Sequence, residues 1–269
     1  MLPLLLISLA ALPTGADLLQ GQLPLIVQNP DTLDLGGSLA HGPISLAAID
    51  ALEGGRFGAA AVDLRNGSLL ASTGNGVYPL DDPDPMLLAF AVELMDAGSL
   101  EPDSAFGRSS TIQNEFWWAF QRDKESAARL MWALGLETLS AWAAGRGFSD
   151  TELHDVQLEW EGAPETAPSM TSLADLTGAL EIIASGMDIP AVREIMADPD
   201  LGDGQAASVG AGWDTYGWVD VGPDHKTFLL IAESDGGERV GLVLLTDDLC
   251  CEEKADLALM LLWQAVTGS

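Results

Sequence analysis

Residues 57–71 read FGAAAVDLRNGSLLA, two apolar runs joined by the short polar stretch 65–67. Asn-Gly between apolar runs is a strong hairpin signal, because both residues tolerate the positive φ angles of a tight turn. The pattern predicts one strand over residues 57–64 and a second over 68–73. The sequence thus predicts a β-hairpin as the first sheet pairing of the chain.

The rest of the chain changes from helical to strand-like periodicity and back. Asp84-Pro85 supplies a capping acid and a first-turn proline for a helix that continues to about Met95. Further helices are predicted over residues 45–52, 114–134, 136–144, 171–185, 189–196 and 252–266. Further strands are predicted over residues 216–221, 226–233 and 239–246. Because strands flank the helical block, we expect an α/β (α+β) fold with one five-stranded antiparallel sheet and the terminal helices packed on it.

The first sixteen residues carry no charge and are mostly Leu, Ile and Ala. This stretch is too short to span a bilayer but suits a signal peptide, although a basic start is missing and a buried N-terminal segment is the alternative. Residues 17–44 are predicted to be an irregular lead-in. Residues 45–80 and 205–269 are predicted to form an α/β subdomain, with 81–204 as an inserted helical subdomain. We expect export to the periplasm or the extracellular space, with no membrane span after signal removal.

Charge sets limits on the partners. The chain has 41 Asp and Glu against 11 Lys and Arg, a formal net charge of −30. A surface of that sign repels phosphate, which argues against nucleic acid and anionic lipid as partners. Adaptation to high salt and a cation-attracting functional face both explain the imbalance.

Cys250 and Cys251 are adjacent and form no disulfide framework.

The order of these elements, together with local sequence, resembles the serine β-lactamase and penicillin-binding-protein superfamily, the class A β-lactamases in particular. The matching segments are the hairpin at 57–71, the nucleophile segment and its helix at 78–100, the middle helices and the connection after them at 127–135 and 147–153, and the helix after the active-site loop at 169–176. The resemblance covers about residues 45–267. It implies a β-lactamase-like fold and a serine hydrolase ancestry.

The first catalytic signature of that family is a serine with a lysine one helical turn later. Alignment from Tyr78-Pro79 puts Asp82 at the serine position and Pro85 at the lysine position. A carboxylate is a poor nucleophile for acyl transfer and proline cannot accept a proton, so neither residue can perform its role.

The second signature falls on Asp123, Lys124 and Glu125. A lysine between two acids has its charged form favoured, which is the wrong direction for a base. The family also uses a loop glutamate to activate water, for which Glu159 and Glu161 are candidates.

The third signature, Lys-Thr-Gly on the strand beside the cleft, falls near residues 214–217. Thr215 matches, but Asp214 replaces the lysine and Tyr216 follows the threonine. A rival placement at His225-Lys226-Thr227 supplies the lysine but puts Phe228 where glycine is expected.

An acidic helix start and a pair of adjacent tryptophans each have a structural interpretation as well as a functional one. Asp81, Asp82 and Asp84 lie at a helix start, where the dipole favours acids, and are weak candidates for a cation site. Adjacent Trp117 and Trp118 point to different faces, so one is a candidate for an exposed binding surface. No cofactor is predicted.

Three hypotheses follow. The preferred one is a catalytically degenerate β-lactamase-like domain, exported and monomeric, that binds an unidentified small molecule or protein or serves a structural role. The second is an active hydrolase of β-lactams, peptides or esters with unrecognised catalytic groups. The third is an unrelated acidic α/β protein.

Overall fold

The computed structural model describes residues 45–107, 109–156, 167–197 and 212–268. Its largest element is an antiparallel sheet in the order β2-β1-β9-β8-β7. These strands are β1 (Arg56–Asp63), β2 (Ser68–Thr73), β7 (Trp213–Val221), β8 (Lys226–Ser234) and β9 (Arg239–Asp247). The predicted five-stranded antiparallel sheet is therefore confirmed, as is the hairpin of β1 and β2.

Helices and two small sheets make up the rest of the described elements. The small sheets pair β3 (Val77–Leu80) with β6 (Ser169–Ser172) and β4 (Ala105–Phe106) with β5 (Ser110–Thr111). The helices are α1 (Ala47–Asp50), α2 (Asp84–Asp96), α3 (Ile112–Phe120), α4 (Lys124–Leu134), α5 (Leu136–Arg146), α6 (Leu173–Ser185), α7 (Pro190–Met196) and α8 (Glu253–Thr267).

The central strands are buried on both faces. Leu230 and Leu244 belong to a cluster with the apolar side of α8, whereas Leu229 and Val243 belong to a cluster with α2 and α6. Strands covered on both sides have continuous apolar runs, which explains the sequences of β8 and β9. The sheet is therefore the middle layer of three.

Close packing of α6 on the sheet depends on Gly241. A Cβ at this position would lie 2.7 Å from Cδ2 of Leu180 and 2.8 Å from Cγ1 of Val62. The missing side chain lets the helix approach β9 closely.

The single helix predicted over residues 114–134 is wrong, because the chain forms α3 and α4 instead. Arg122 between them adopts a φ of 64°. Asp123 then caps α4 by accepting a hydrogen bond from the N–H of Glu125. A local side-chain cap thus overrides the continuous apolar periodicity.

Two other helices are shorter than predicted. Residues 169–172 pair with β3, so α6 begins only at Leu173, with Ser172 accepting a hydrogen bond from the N–H of Asp175. The predicted helix 45–52 is reduced to the four residues of α1. The signal peptide, the lead-in, Glu159 and Glu161 lie outside the described residues, and the subdomain boundaries stay predictions.

Candidate functional site

The candidate site lies where β3 runs into α2. Asp81 follows the last residue of β3, and its backbone N–H donates a 3.0 Å hydrogen bond to Oδ2 of Asp220, near the end of β7. This bond joins segments that lie 139 residues apart in the chain. It holds the β3–α2 corner against the β7 edge of the large sheet.

Asp82 and Pro85 both lie at the start of α2. Asp82 is buried just before the helix, and Pro85 lies in the first turn, where a missing backbone N–H costs nothing. The positive end of the helix dipole favours an acid there. The two positions that the sequence assigned to the first catalytic signature are thus a buried carboxyl group and a first-turn proline of α2.

Asp84 is the most deeply buried acid of this corner, with 1% of its surface exposed. Burial raises the pKa of its carboxyl well above the usual range, and the charges of Asp82 and Asp220 raise it further. A hydrogen bond from Trp218 lowers this pKa, but the other effects outweigh it. The surroundings of the Asp84 carboxyl therefore favour its protonated form.

His225 brings an imidazole into the same corner from the turn between β7 and β8. Its Nε2 lies 3.5 Å from Oδ2 of Asp220 and 3.8 Å from Oδ1 of Asp81, while Nδ1 lies 3.6 Å from Oδ1 of Asp224. Burial by itself would lower the pKa of His225, but these carboxylates outweigh it and raise the pKa. An added Cβ at Gly222 would overlap the ring, so this glycine makes room for the imidazole.

Asp81 is partly exposed, with 29% of its side chain accessible to solvent. Partial burial raises the pKa of Asp81, while the charges of His225 and Lys124 lower it. Lys124, predicted as part of the second signature, thus lies within electrostatic reach of Asp81.

The other two residues of the second signature serve helix α4. Asp123 accepts hydrogen bonds from the N–H of Glu125 and from Oγ of Ser126. Glu125 is exposed and lies 3.6 Å from the guanidinium of Arg129. All three contacts lie in the first turns of α4.

Asp214, Thr215 and Tyr216, the first placement of the third signature, lie at the opposite end of β7 from Asp220. Asp214 and Asp220 are six positions apart along β7, a distance of about 20 Å at the usual rise of a strand. Asp214 is exposed and pairs in register with Glu233. The hydroxyl of Tyr216 accepts a 2.6 Å hydrogen bond from Arg193.

The residues of the rival placement, 225–227, have their contacts on two different sides of the sheet. His225 joins the acidic corner, and Thr227 pairs in register with Asp220. Lys226 points away, with its Nζ 2.7 Å from Oδ1 of Asp256 on α8.

Neither placement identified Asp220 or Trp218. The sequence signal for both is a buried-type strand, WVDV, in which an acid interrupts an apolar run.

Three ligand-type atoms meet in the corner. Single oxygen or nitrogen atoms of Asp81, Asp220 and His225 all lie within 4.8 Å of one another. Of the three acids predicted as weak cation ligands, Asp81 is therefore the one that joins a ligand-type cluster. Carboxylate and imidazole donors in this arrangement are suited to a divalent cation.

Hydrogen bonds between hydroxyl groups and cationic side chains occur elsewhere in the described structure. Oγ of Ser126 accepts from Arg129 at 2.7 Å, and Tyr216 accepts from Arg193. Arginine stays protonated and cannot act as a base. These contacts therefore do not form an activated nucleophile.

A groove of about 570 Å³ lies on α3 and α4, outside the acidic corner. Trp118, half exposed, lines it together with Arg122 and Arg129, which confirms that one of the two adjacent tryptophans is exposed. Arg129 is already paired with Glu115 at 2.9 Å. The groove thus offers an aromatic surface with little free positive charge.

Solved structures similar to this fold are class A β-lactamases. An ancestral class A β-lactamase has a TM-score of 0.65 at 18% identity, covering 82% of this chain and 96% of that chain. A β-lactamase from Xanthomonas campestris has a TM-score of 0.66 at 17% identity, covering 83% and 95%. One from Sphaerobacter thermophilus has 0.62 at 14% identity, covering 82% and 92%.

No protein-family model matches the sequence, and no curated protein is similar to it in sequence. The likeness in structure establishes a serine β-lactamase-like fold, as the sequence resemblance implied. Within the described part of the chain, none of the helices combines the length and the apolar character needed to cross a bilayer.

Proposed function

We propose that this chain, which has the β-lactamase-like fold, is an exported, monomeric binding or structural protein that does not form an acyl-enzyme. The proposal rests on the start of α2, where alignment from Tyr78-Pro79 assigns Asp82 and Pro85 to the positions of the serine and lysine. Acyl transfer requires a nucleophile and a proton acceptor within hydrogen-bond range of each other. This pair supplies neither.

The electrostatics of the corner support the same proposal. Asp81, Asp82, Asp84 and Asp220 gather around the start of α2, and substrates of the resembled family carry a carboxylate. Like charges repel, and these four acids outnumber the two cationic groups, His225 and Lys124, whose charges reach Asp81. We therefore expect neutral or cationic ligands to be preferred over β-lactams.

A second candidate function, hydrolysis by groups other than a serine, has one supporting observation. Burial raises the pKa of Asp84, and the charges of Asp82 and Asp220 raise it further, so this corner favours a carboxylic acid among carboxylates. Such a pair can act as general acid and general base on a bound water. This mechanism would turn over substrate without a covalent adduct.

Intact mass spectrometry after incubation with a fluorescent penicillin and with a fluorophosphonate tests the proposal. We expect no stoichiometric adduct, whereas a class A β-lactamase treated in parallel is labelled. The exposed thiols of Cys250 and Cys251 could react nonspecifically, so the C250S/C251S variant is the matched control. A stoichiometric adduct that persists in this variant contradicts the proposal.

Turnover of a chromogenic cephalosporin and of ester substrates distinguishes the second candidate. The preferred function predicts no turnover above the buffer rate. Turnover without an adduct, abolished by Asp84→Asn, would establish the second candidate instead.

A further inference from the structure

The acidic corner contains a buried nitrogen that the protein itself does not satisfy. His225 is 2% exposed, and its Nε2 makes no hydrogen bond within the described residues, although it points between two carboxylates. A buried polar atom without a partner costs free energy, which a bound ligand would recover. The position of this atom therefore indicates a missing ligand between the imidazole and the two acids.

The separations within the cluster match those of a metal coordination shell. Ligand atoms about 2.05 Å from a tetrahedral ion lie roughly 3.3 Å from one another. Nε2 of His225 lies 3.5 Å from Oδ2 of Asp220 and 3.8 Å from Oδ1 of Asp81. The two nitrogen–oxygen separations therefore need to contract by only a few tenths of an ångström. The ligand oxygens of the two acids lie within 4.8 Å of each other and need to close by at most about 1.5 Å.

Donor chemistry selects the class of ion. Calcium and magnesium take oxygen ligands almost exclusively, whereas imidazole favours first-row transition ions and zinc. Two carboxylates and one neutral imidazole also balance the charge of a divalent cation. Three protein ligands leave a fourth position open for water or for a donor from a bound molecule.

The surroundings of the cluster are those of a supported site. Asp224 lies 3.6 Å from Nδ1 of His225, where an acid can orient the ring and favour the tautomer that leaves Nε2 free for metal. The backbone N–H of Asp81 holds Oδ2 of Asp220 in place. The partly exposed side chain of Asp81 provides the route of entry from solvent.

We propose that Asp81, Asp220 and His225 bind one divalent transition-metal ion of the Zn²⁺ type. The inference deepens the proposed binding role by naming the ligand class of the corner. It stands or falls separately from the absence of an acyl-enzyme, because metal binding is measured without any β-lactam.

Isothermal titration of the chelator-stripped protein with Zn²⁺, and visible absorption with Co²⁺, test the proposal. We expect one equivalent of Zn²⁺ to bind, and Co²⁺ to give the intense visible bands of a four-coordinate site. His225→Gln and Asp81→Asn should each weaken Zn²⁺ at least about 100-fold, the upper end of what loss of a supporting residue alone costs. Asp81→Asn alters a partly exposed side chain and so remains informative where His225→Gln does not fold.

Two controls separate this site from other zinc ligands. His154→Gln removes a histidine that lies 3.4 Å from Glu152, far from the cluster in the chain, and should bind Zn²⁺ as the unmodified protein does. The C250S/C251S variant should also bind normally. Asp224→Asn should weaken binding about tenfold through the ring orientation.

Gly222→Ala provides a test that leaves all three ligands in the chain. The added methyl group would displace the imidazole, so Zn²⁺ binding should fall as in His225→Gln. Gly236→Ala, where the nearest atom to an added Cβ is 3.5 Å away, is the matched substitution in the next turn. Unchanged Zn²⁺ affinity in folded Asp81→Asn or His225→Gln, or loss of binding in C250S/C251S, would overturn the proposal.

Discussion

Asp84 is a single carboxyl whose burial has consequences for stability. Because burial raises the pKa of this group in the folded state, the folded chain holds a proton that the unfolded chain releases above about pH 4. The contribution to stability is therefore complete at acidic pH and is lost as the pH rises through the folded pKa. At neutral pH the group therefore lowers the free energy of unfolding, because the folded chain must either take up a proton or bury a charged carboxylate.

We expect Asp84→Asn to increase the free energy of unfolding at pH 7.5 by about 1–3 kcal/mol. The amide cannot ionise, and its NH₂ can donate to the neighbouring carboxylates. Urea unfolding in the presence of a chelator, at pH 7.5 and at pH 4, measures the effect. The difference from the unmodified protein should close at pH 4, and a variant that is less stable at pH 7.5 would contradict the argument.

The hairpin of β1 and β2 depends on the side chain of Asp63 as well as on its Asn-Gly turn. Oδ1 of Asp63 accepts hydrogen bonds from the backbone N–H and Nε of Arg65, both at 3.0 Å, and Oδ2 accepts from Nη2 of Arg65 at 2.8 Å and Nδ2 of Asn66 at 3.1 Å. The hydrogen bond from Arg65 lowers the pKa of this carboxyl, although burial opposes it. The acid thus closes the turn by accepting hydrogen bonds from four donor groups of the loop.

We expect Asp63→Asn to destabilise the protein by about 1–2 kcal/mol at pH 7, at the low end of charge-assisted bonds because Arg65 is half exposed. A lowered folded pKa contributes stability above about pH 4 that is lost as the pH falls through the folded pKa. Thermal unfolding of the two proteins from pH 7 to pH 3 measures this. A difference that persists undiminished at pH 3 would contradict the assignment.

Elements with strong local signals could be predicted from the sequence, and those set by distant pairing could not. The Asn-Gly turn predicted the first hairpin, and Asp84-Pro85 predicted the start of α2. Strand β3 was not predicted, because its four residues are held by pairing with β6, about 90 residues further along the chain.

The candidate site shows the same division. The assignment of Asp82 and Pro85 to the first signature rests on local sequence alone and stays a prediction. The contact of Asp220 and His225 with that corner depends on the register of β7 and β8 and on a bond across 139 residues. The local sequence encodes neither the strand register nor this long-range hydrogen bond. From the sequence alone, Asp214 and not Asp220 was therefore predicted to lie beside the cleft.

At the scale of the whole molecule, basic side chains in the described structure form ion pairs and leave an excess of acid. Arg56 pairs with Asp247, Arg65 with Asp63, Arg129 with Glu115, Arg146 with Glu93, Arg193 and Arg239 with Glu233, and Lys226 with Asp256. Since the chain has 41 acids and 11 bases, most carboxylates cannot have a cationic partner of their own. Self-repulsion therefore opposes the compact state.

We expect the thermal midpoint to rise by several degrees between low salt and 1 M KCl, with the chelator present throughout. The Debye length falls from about 30 Å at 0.01 M to 3 Å at 1 M, so distant repulsions are screened. Exposed ion pairs are screened as well, but each contributes at most about 1 kcal/mol and they are outnumbered. Sucrose at matched osmolality is the control, because it favours compaction without screening charge.

The salt response also decides between the two explanations of the acidic composition. If the excess acid is an adaptation of the entire surface, neutralising Asp81 and Asp220 together should leave the slope of the midpoint against salt nearly unchanged, since two of 41 acids carry little of the total repulsion. If the acids serve the cation site, that double variant should lose much of the slope. A midpoint that is flat in the unmodified protein would contradict both, because a net charge of −30 without a measurable cost requires the carboxylates to be neutralised already.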